Sequence, residues 1–142
     1  MANALKVLVV DDNTYAREIA GALLNKLGIT DIVMADGGAA AIGALLAERP
    51  DLVLLDWYMP EVSGAGLLQI IRDPRFDRPG LRVLLMTAYA SRENIARARA
   101  LGVNEVLIKP FNQAQLATAL RAVLPNVWSG GAATGTDDTF FL

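Results

Sequence analysis

Short, uninterrupted apolar runs alternate with longer stretches of helical spacing from the start of this chain to about residue 124, and few architectures accept that rhythm. The runs Val7 to Val10, Ile32 to Ala35, Leu52 to Leu55, Val83 to Met86 and Val106 to Ile108 are mostly too uniformly apolar to keep one face in water. They predict parallel strands with helices on both sides. A first helix carries Ile19, Leu23, Leu24 and Leu27 on one stripe and stops at Gly28; a second carries Ile42, Leu45 and Leu46 and stops at Pro50. A third presents Leu67, Leu68, Ile70 and Ile71 before Pro74. A fourth runs from Ser91 through Ile95, Ala98 and Leu101 to Gly102, and a fifth from Asn112 through Leu116, Leu120 and Leu124 to Pro125. The expected product is an α/β fold, a doubly wound (βα)5 three-layer sandwich with right-handed crossovers and its functional groups at the carboxyl edge of the sheet.

Composition removes many chemistries. Of 142 residues, 54% are hydrophobic and 20% charged, enough apolar material for one compact domain. The chain has no cysteine and no histidine, which excludes disulfides, thiolate zinc sites, Ser-His-Asp triads and histidine bases. A net charge of −2 gives no general attraction to nucleic acid or to an anionic membrane. Apolar runs are too short to span a bilayer and residues 1–6 lack a signal-peptide pattern, so the expected location is cytoplasmic.

The remaining chemistry sits where strands end. The first predicted strand closes in Asp11-Asp12, the third in Asp56, the fourth in Thr87 and the fifth in Lys109-Pro110. If the strand order reverses between the first and third strands, three carboxylates converge in one crevice with Lys109 as the nearby base. Clustered anionic oxygens call for a hard cation, and Mg²⁺, with Mn²⁺ as a substitute, keeps coordination positions for waters and phosphate oxygens. A carboxylate can be the covalent nucleophile in phosphoryl transfer, while a cation, an ammonium and a hydroxyl stabilise the equatorial oxygens.

The segments Val9-Val10-Asp11-Asp12, Leu54-Leu55-Asp56-Trp57-Tyr58-Met59-Pro60, Met86-Thr87-Ala88 and Ile108-Lys109-Pro110-Phe111 resemble, in order and spacing, the signature of CheY-like response-regulator receiver domains. The resemblance covers roughly residues 4 to 124. It implies a flavodoxin-like sheet in the order 2-1-3-4-5 and a cis Lys109–Pro110 bond. It also implies Asp56 as phosphoacceptor, Asp12, Asp56 and the Tyr58 backbone carbonyl as direct metal ligands, and Asp11 as a ligand largely through water. Thr87 would hydrogen-bond the phosphoryl group and Lys109 would ion-pair with it. The implied donor is a phosphohistidine on a sensor kinase or phosphotransfer protein. The implied output is a changed binding surface on the fourth helix, fifth strand and fifth helix, offered to a motor component, a kinase or a downstream regulator. A phosphate sink or relay intermediate is the alternative output. A monomer is expected, with dimerisation on phosphorylation left open.

Two departures bear on the switch. Receivers commonly carry an aromatic three residues before the lysine, where this chain has Val106, while Tyr89 stands two residues after Thr87. Either Tyr89 takes over part of the switch or it only covers the site. Tyr58 and Tyr89 occupy the positions that flank the phosphoryl group in the family, and two bulky aromatics predict slow autodephosphorylation. Trp57 is expected to pack, and Arg92, Arg97 and Arg99 to give the fourth helix a basic outer side.

The domain is expected to span 1–124. Residues 125–142 are read as a flexible tail, rich in Gly, Ala and Thr, that ends in Phe140-Phe141-Leu142 and is too short for an output domain, which makes the expected protein a stand-alone switch and not an enzyme on external substrates. A carboxylate-nucleophile phosphohydrolase would need a second acid next to Asp56, where Trp57 and Tyr58 stand instead. A flavin or nucleotide binder would need a Gly-rich first turn, where the sequence is Asp11-Asp12-Asn13-Thr14.

Overall fold

The computed structural model describes residues 5–59, 61–78 and 80–125. Strands β1 (Lys6–Val10), β2 (Asp31–Ala35), β3 (Leu52–Asp56), β4 (Arg82–Thr87) and β5 (Glu105–Ile108) alternate with helices α1 (Thr14–Lys26), α2 (Gly38–Glu48), α3 (Gly64–Arg72), α4 (Arg92–Ala100) and α5 (Gln113–Val123). All strand pairings are parallel, in the order β2-β1-β3-β4-β5. This is the flavodoxin-like order implied by the sequence resemblance. The order reverses between β1 and β3, which opens a crevice at their carboxyl ends.

Two cores flank the sheet. Val7, Val9, Leu52, Leu54, Leu84 and Met86 point to the side covered by α1 and α5, whereas Leu8, Val10, Val53, Leu55, Val83 and Leu85 meet α2, α3 and α4. Burial on both faces explains why β1, β3 and β4 read as continuous apolar runs. The edge strands depart from that reading: Met34 on β2 is 42% exposed and Ile108 on β5 54% exposed. The helical stripes are also narrower than their sequence pattern, because Ile19, Leu46 and Ile70, all expected on buried stripes, lie at the surface. Helix starts follow local capping chemistry. The side chains of Asn13, Ser63, Ser91 and Asn112 accept hydrogen bonds from the first-turn amides, and Asn112 forms a reciprocal capping box with Gln115.

One helix start has no room for a side chain. The amide of Gly64 donates to the Trp57 carbonyl at 2.9 Å, and a Cβ built on Gly64 would lie 2.6 Å from the Asp56 carbonyl oxygen. Both neighbours are backbone and cannot rotate away. Gly64→Ala is therefore expected to cost about 2–3 kcal/mol as β3 and α3 separate, measured as a lowered urea midpoint; an unchanged midpoint would contradict this packing.

Candidate functional site

The crevice at the carboxyl edge collects the chain's polar strand ends. Among the described residues Asp11, Asp56 and Thr87 are the buried polar ones, while Asp12 beside them is exposed. Carboxylate oxygens of Asp11, Asp12 and Asp56 all lie within 4.8 Å of one another. Lys109, delivered by the loop after β5, reaches 2.7 Å from Asp11 Oδ2 and 3.2 Å from Asp56 Oδ1. The Lys109–Pro110 peptide bond is cis, as the resemblance implied.

The carboxylates are not equivalent. Asp11 uses one oxygen to accept from the Asn13 amide at 2.9 Å and the other to accept from Lys109. Arg17 grips the Asp11 carbonyl at 2.7 Å, so this residue is held from three directions. Asp12 has no hydrogen bond or ion pair among the described residues, and neither does the carbonyl of Tyr58. Each Asp11 carboxylate oxygen thus already accepts one hydrogen bond, whereas Asp12 and the Tyr58 carbonyl accept none and Asp56 accepts only from Lys109. Burial pushes the Asp56 carboxyl up and the neighbouring Asp11 charge adds to that; Lys109 opposes both, and the balance lies at about 6. Burial works to lower the Lys109 ammonium, but its hydrogen bonds and charge contacts with Asp11 and Asp56 outweigh it, so Lys109 is raised and stays protonated.

Crowded anions with free oxygens are a donor set suited to a small divalent cation with several waters. Asp11, Asp12 and Asp56 offer carboxylate oxygens close enough together to hold one. Such a cation would neutralise the charge that the three carboxylates concentrate there.

Thr87 closes β4 with its hydroxyl buried, and Oγ1 accepts from the Tyr89 amide at 3.0 Å. The carbonyl of Tyr89 in turn accepts from Asn94 Nδ2 on α4 at 2.9 Å. The Tyr89 and Tyr58 rings meet edge to face, centroids 5.2 Å apart at 85°. Both rings remain largely exposed at the mouth of the crevice. Sequence reasoning placed these aromatics beside the site but gave no sign that they touch. Trp57 packs against the core beneath α2, α3 and α4, and Val106, at the position where an aromatic was expected, is half-buried against the same core. Of the three arginines expected to make α4 basic, Arg99 is paired with Glu105 at 2.6 Å.

The fold and site together are a doubly wound, flavodoxin-like sheet with an acidic crevice at its β1/β3 switch point, bordered by a lysine and a threonine. The sequence matches the response regulator receiver domain over residues 7–121. It is 36% identical over 124 residues to chemotaxis protein CheY of Pseudomonas aeruginosa, covering 87% of this chain and 98% of that protein. It is 40% identical over 112 residues to chemotaxis protein CheY-3 of Vibrio cholerae, covering 79% and 85%. The crystallised chemotaxis protein CheY4 of V. cholerae superimposes with a TM-score of 0.79 at 28% identity, over 86% of this chain and all of that one (100%). A response regulator receiver protein from Pseudomonas putida does so with a TM-score of 0.75 at 32% identity, over 85% and 98%. The chain belongs to the response regulator receiver family, and is a CheY-like component of two-component signalling. Among the described residues no helix is long and apolar enough to cross a membrane.

Proposed function

We propose that this protein is a phosphorylation-driven switch in which Asp56 accepts a phosphoryl group from a phosphohistidine of a sensor kinase or phosphotransfer protein. The observation that carries this reading is Lys109 joining two of three clustered carboxylates, Asp11 and Asp56, beside a buried threonine. In the transfer, an Asp56 oxygen forms the new O–P bond as the P–N bond to the donor imidazole breaks, and the imidazole leaves with the bonding pair. Lys109 and Thr87 balance charge on the equatorial oxygens; Mg²⁺ or Mn²⁺, when bound, would be held by Asp12, Asp56 and the Tyr58 carbonyl, with Asp11 contributing through water, and would neutralise charge at the site. Incubation with acetyl phosphate and Mg²⁺ is expected to add about 80 Da, a single phosphoryl group, to the wild type and nothing to Asp56→Asn. An unmodified wild type at every Mg²⁺ concentration would sink the reading.

The path from site to surface runs through Tyr89. Its amide is bonded to Thr87 Oγ1, its carbonyl to Asn94 on α4, and its ring to Tyr58. Reorienting Thr87 toward a phosphoryl oxygen removes the acceptor of the Tyr89 amide. That gives a physical basis for Tyr89 taking part in the switch where Val106 replaces the usual aromatic. The expected readout is the face of α4, β5 and α5, where Arg92, Arg97 and Ile108 are available to a partner.

The Tyr58 and Tyr89 pair also limits how attacking water reaches the phosphoaspartate. Replacing both by alanine is expected to shorten the phosphoryl lifetime about tenfold, which corresponds to about 1.4 kcal/mol of barrier. Loss of the +80 Da species over time measures it, and an unchanged lifetime would remove the aromatics from this role.

A further inference from the structure

Of the three crevice carboxylates, Asp12 has the least to keep it there. Asp11 is bonded at both carboxylate oxygens and Asp56 accepts from Lys109, whereas the Asp12 side chain is exposed and has no partner among the described residues. A carboxylate oxygen of Asp12 nevertheless lies within 4.8 Å of oxygens on the other two. Like charges at that separation repel. Asp11 and Asp56 are buried, so Asp12 is the one member with solvent to swing into. What holds it in place is its backbone.

The two peptide units that flank Asp12 are each pinned by a hydrogen bond. The unit between Asp12 and Asn13 donates its N–H to Asp11 Oδ1 at 2.9 Å. The unit between Asp11 and Asp12 is held at its carbonyl, which accepts from Arg17 Nη1 at 2.7 Å. Strand β1 ends at Val10, and the Asp11 amide makes one more sheet-like bond, to the Ala35 carbonyl at 3.1 Å. Among the described residues no backbone amide reaches the Asp11 carbonyl, so Arg17 stands in for a ladder partner. Because a peptide unit is planar, fixing both flanking planes fixes φ and ψ of Asp12 and with them the direction of its Cβ.

Arg17 is itself secured. It lies in the first turn of α1, half-buried, with its amide donating to the Asn13 carbonyl at 3.0 Å and Nη2 at 3.4 Å from Thr14 Oγ1. A cation at the start of a helix opposes the helix dipole. Helix stability therefore does not account for an arginine here, and the bond to Asp11 does.

We propose that Arg17 is a positioning residue: by fixing the peptide between Asp11 and Asp12 it keeps the Asp12 carboxylate turned into the crevice, ready to ligate a divalent cation that Arg17 does not touch. This rests on the cation site of the proposed function and not on phosphoryl transfer. Charge and geometry give opposite expectations. As a positive charge near the crevice, Arg17 opposes cation binding, and removing it would tighten binding. As the support of Asp12, its removal lets a ligand drift and weakens binding, and partners one step removed from a metal account for about 10–100-fold in affinity.

The test is a titration of Mn²⁺ alone into the unphosphorylated protein, with the free ion counted by its electron paramagnetic resonance signal. Arg17→Met keeps the stem and loses the donor, and is expected to bind Mn²⁺ about tenfold more weakly than the wild type. Arg17→Lys returns a donor for that single carbonyl and is expected to stay within about threefold of the wild type. Arg17→Gln, a good helix former whose amide is too short to reach the carbonyl, is expected to match the methionine variant and serves in its place if that variant does not fold. Binding by the methionine or glutamine variant as tight as the wild type, or tighter, would overturn the proposal. Equal weakening by methionine and lysine would overturn it too, since the loss would not follow the hydrogen bond. A wild type that takes up no Mn²⁺ would remove the cation site together with the role of Arg17, whereas a wild type that binds beside an equally tight methionine variant removes the role alone.

Discussion

In divalent-free buffer, Asp56→Asn is expected to make the protein more stable than the wild type at neutral pH, and the difference to vanish in acid. Folding buries the Asp56 carboxyl beside Asp11 and raises it from 3.8 to about 6. The folded state thus binds more protons than the unfolded state between these values, and stability falls as pH rises. Below about pH 3 both states are protonated and there is no penalty. Above about pH 7 the penalty is complete, on the order of 3 kcal/mol for a shift of this size. Asparagine keeps the volume and removes the charge, at the expense of one charge-assisted contact with Lys109, so the expected net gain at pH 7.5 is about 2 kcal/mol. Urea unfolding of both proteins in EDTA from pH 3 to 7.5 measures it. Other carboxylates cancel in the difference, and Asp73, held down to about 2 by Arg75, titrates outside the window. A difference that does not change with pH would show that Asp56 is not under this stress. Added Mg²⁺ is expected to stabilise the wild type and to have little effect on the variant.

The second large effect lies away from the crevice. Arg72 at the end of α3 donates to the Gly102 carbonyl at 3.1 and 2.7 Å, to the Leu81 carbonyl at 2.6 Å and to Asn104 Oδ1 at 3.0 Å. One guanidinium thereby ties α3 to the entry of β4 and to the turn between α4 and β5. Asn104 extends the clamp, accepting from the Val83 amide at 2.7 Å and donating its own amide to the Val83 carbonyl at 2.9 Å. Arg72→Met retains the stem and leaves two backbone carbonyls without their charged donor. Hydrogen bonds to charged groups contribute about 1.5–3 kcal/mol each and are not additive, so a loss of about 3 kcal/mol is expected. Arg72→Lys is expected to recover little of it, because an ammonium cannot reproduce the planar fork. Thermal unfolding would show a fall in melting temperature on the order of 10 °C for the methionine variant. A fall under about 3 °C would contradict the clamp.

Much of the architecture was legible because its causes are local. Continuous apolar runs in β1, β3 and β4 are what burial on both faces requires, and Ser91 and Asn112, read as helix starts, cap those helices with their own side chains, within three residues of the amides they satisfy; Asn13 and Ser63 cap α1 and α3 in the same way but were not read from the sequence. The candidate site was legible for a related reason. Strand ends in a parallel sheet all open at one edge, so Asp11, Asp12, Asp56, Thr87 and Lys109 could be grouped from their positions alone. The proposed tail from 125, apart from Pro125 itself, lies outside the described residues.

What tertiary structure decided depends on residues far apart in the chain. Lys109 meets Asp11 across 98 positions and Asp56 across 53, and that geometry, with burial, sets the Asp56 carboxyl at about 6. The Tyr58 and Tyr89 contact, the Arg72 clamp and the exposure of Ile19, Leu46 and Ile70 have the same origin. Periodicity tells which face of a helix is apolar, but not how far the neighbouring helix extends to cover it. The sequence alone determined the order of elements and the edge at which chemistry gathers, because backbone periodicity and capping act over a few residues. Only the packed sheet decided distances, charge coupling and which apolar groups were left uncovered, because those depend on where separate elements come to rest against one another.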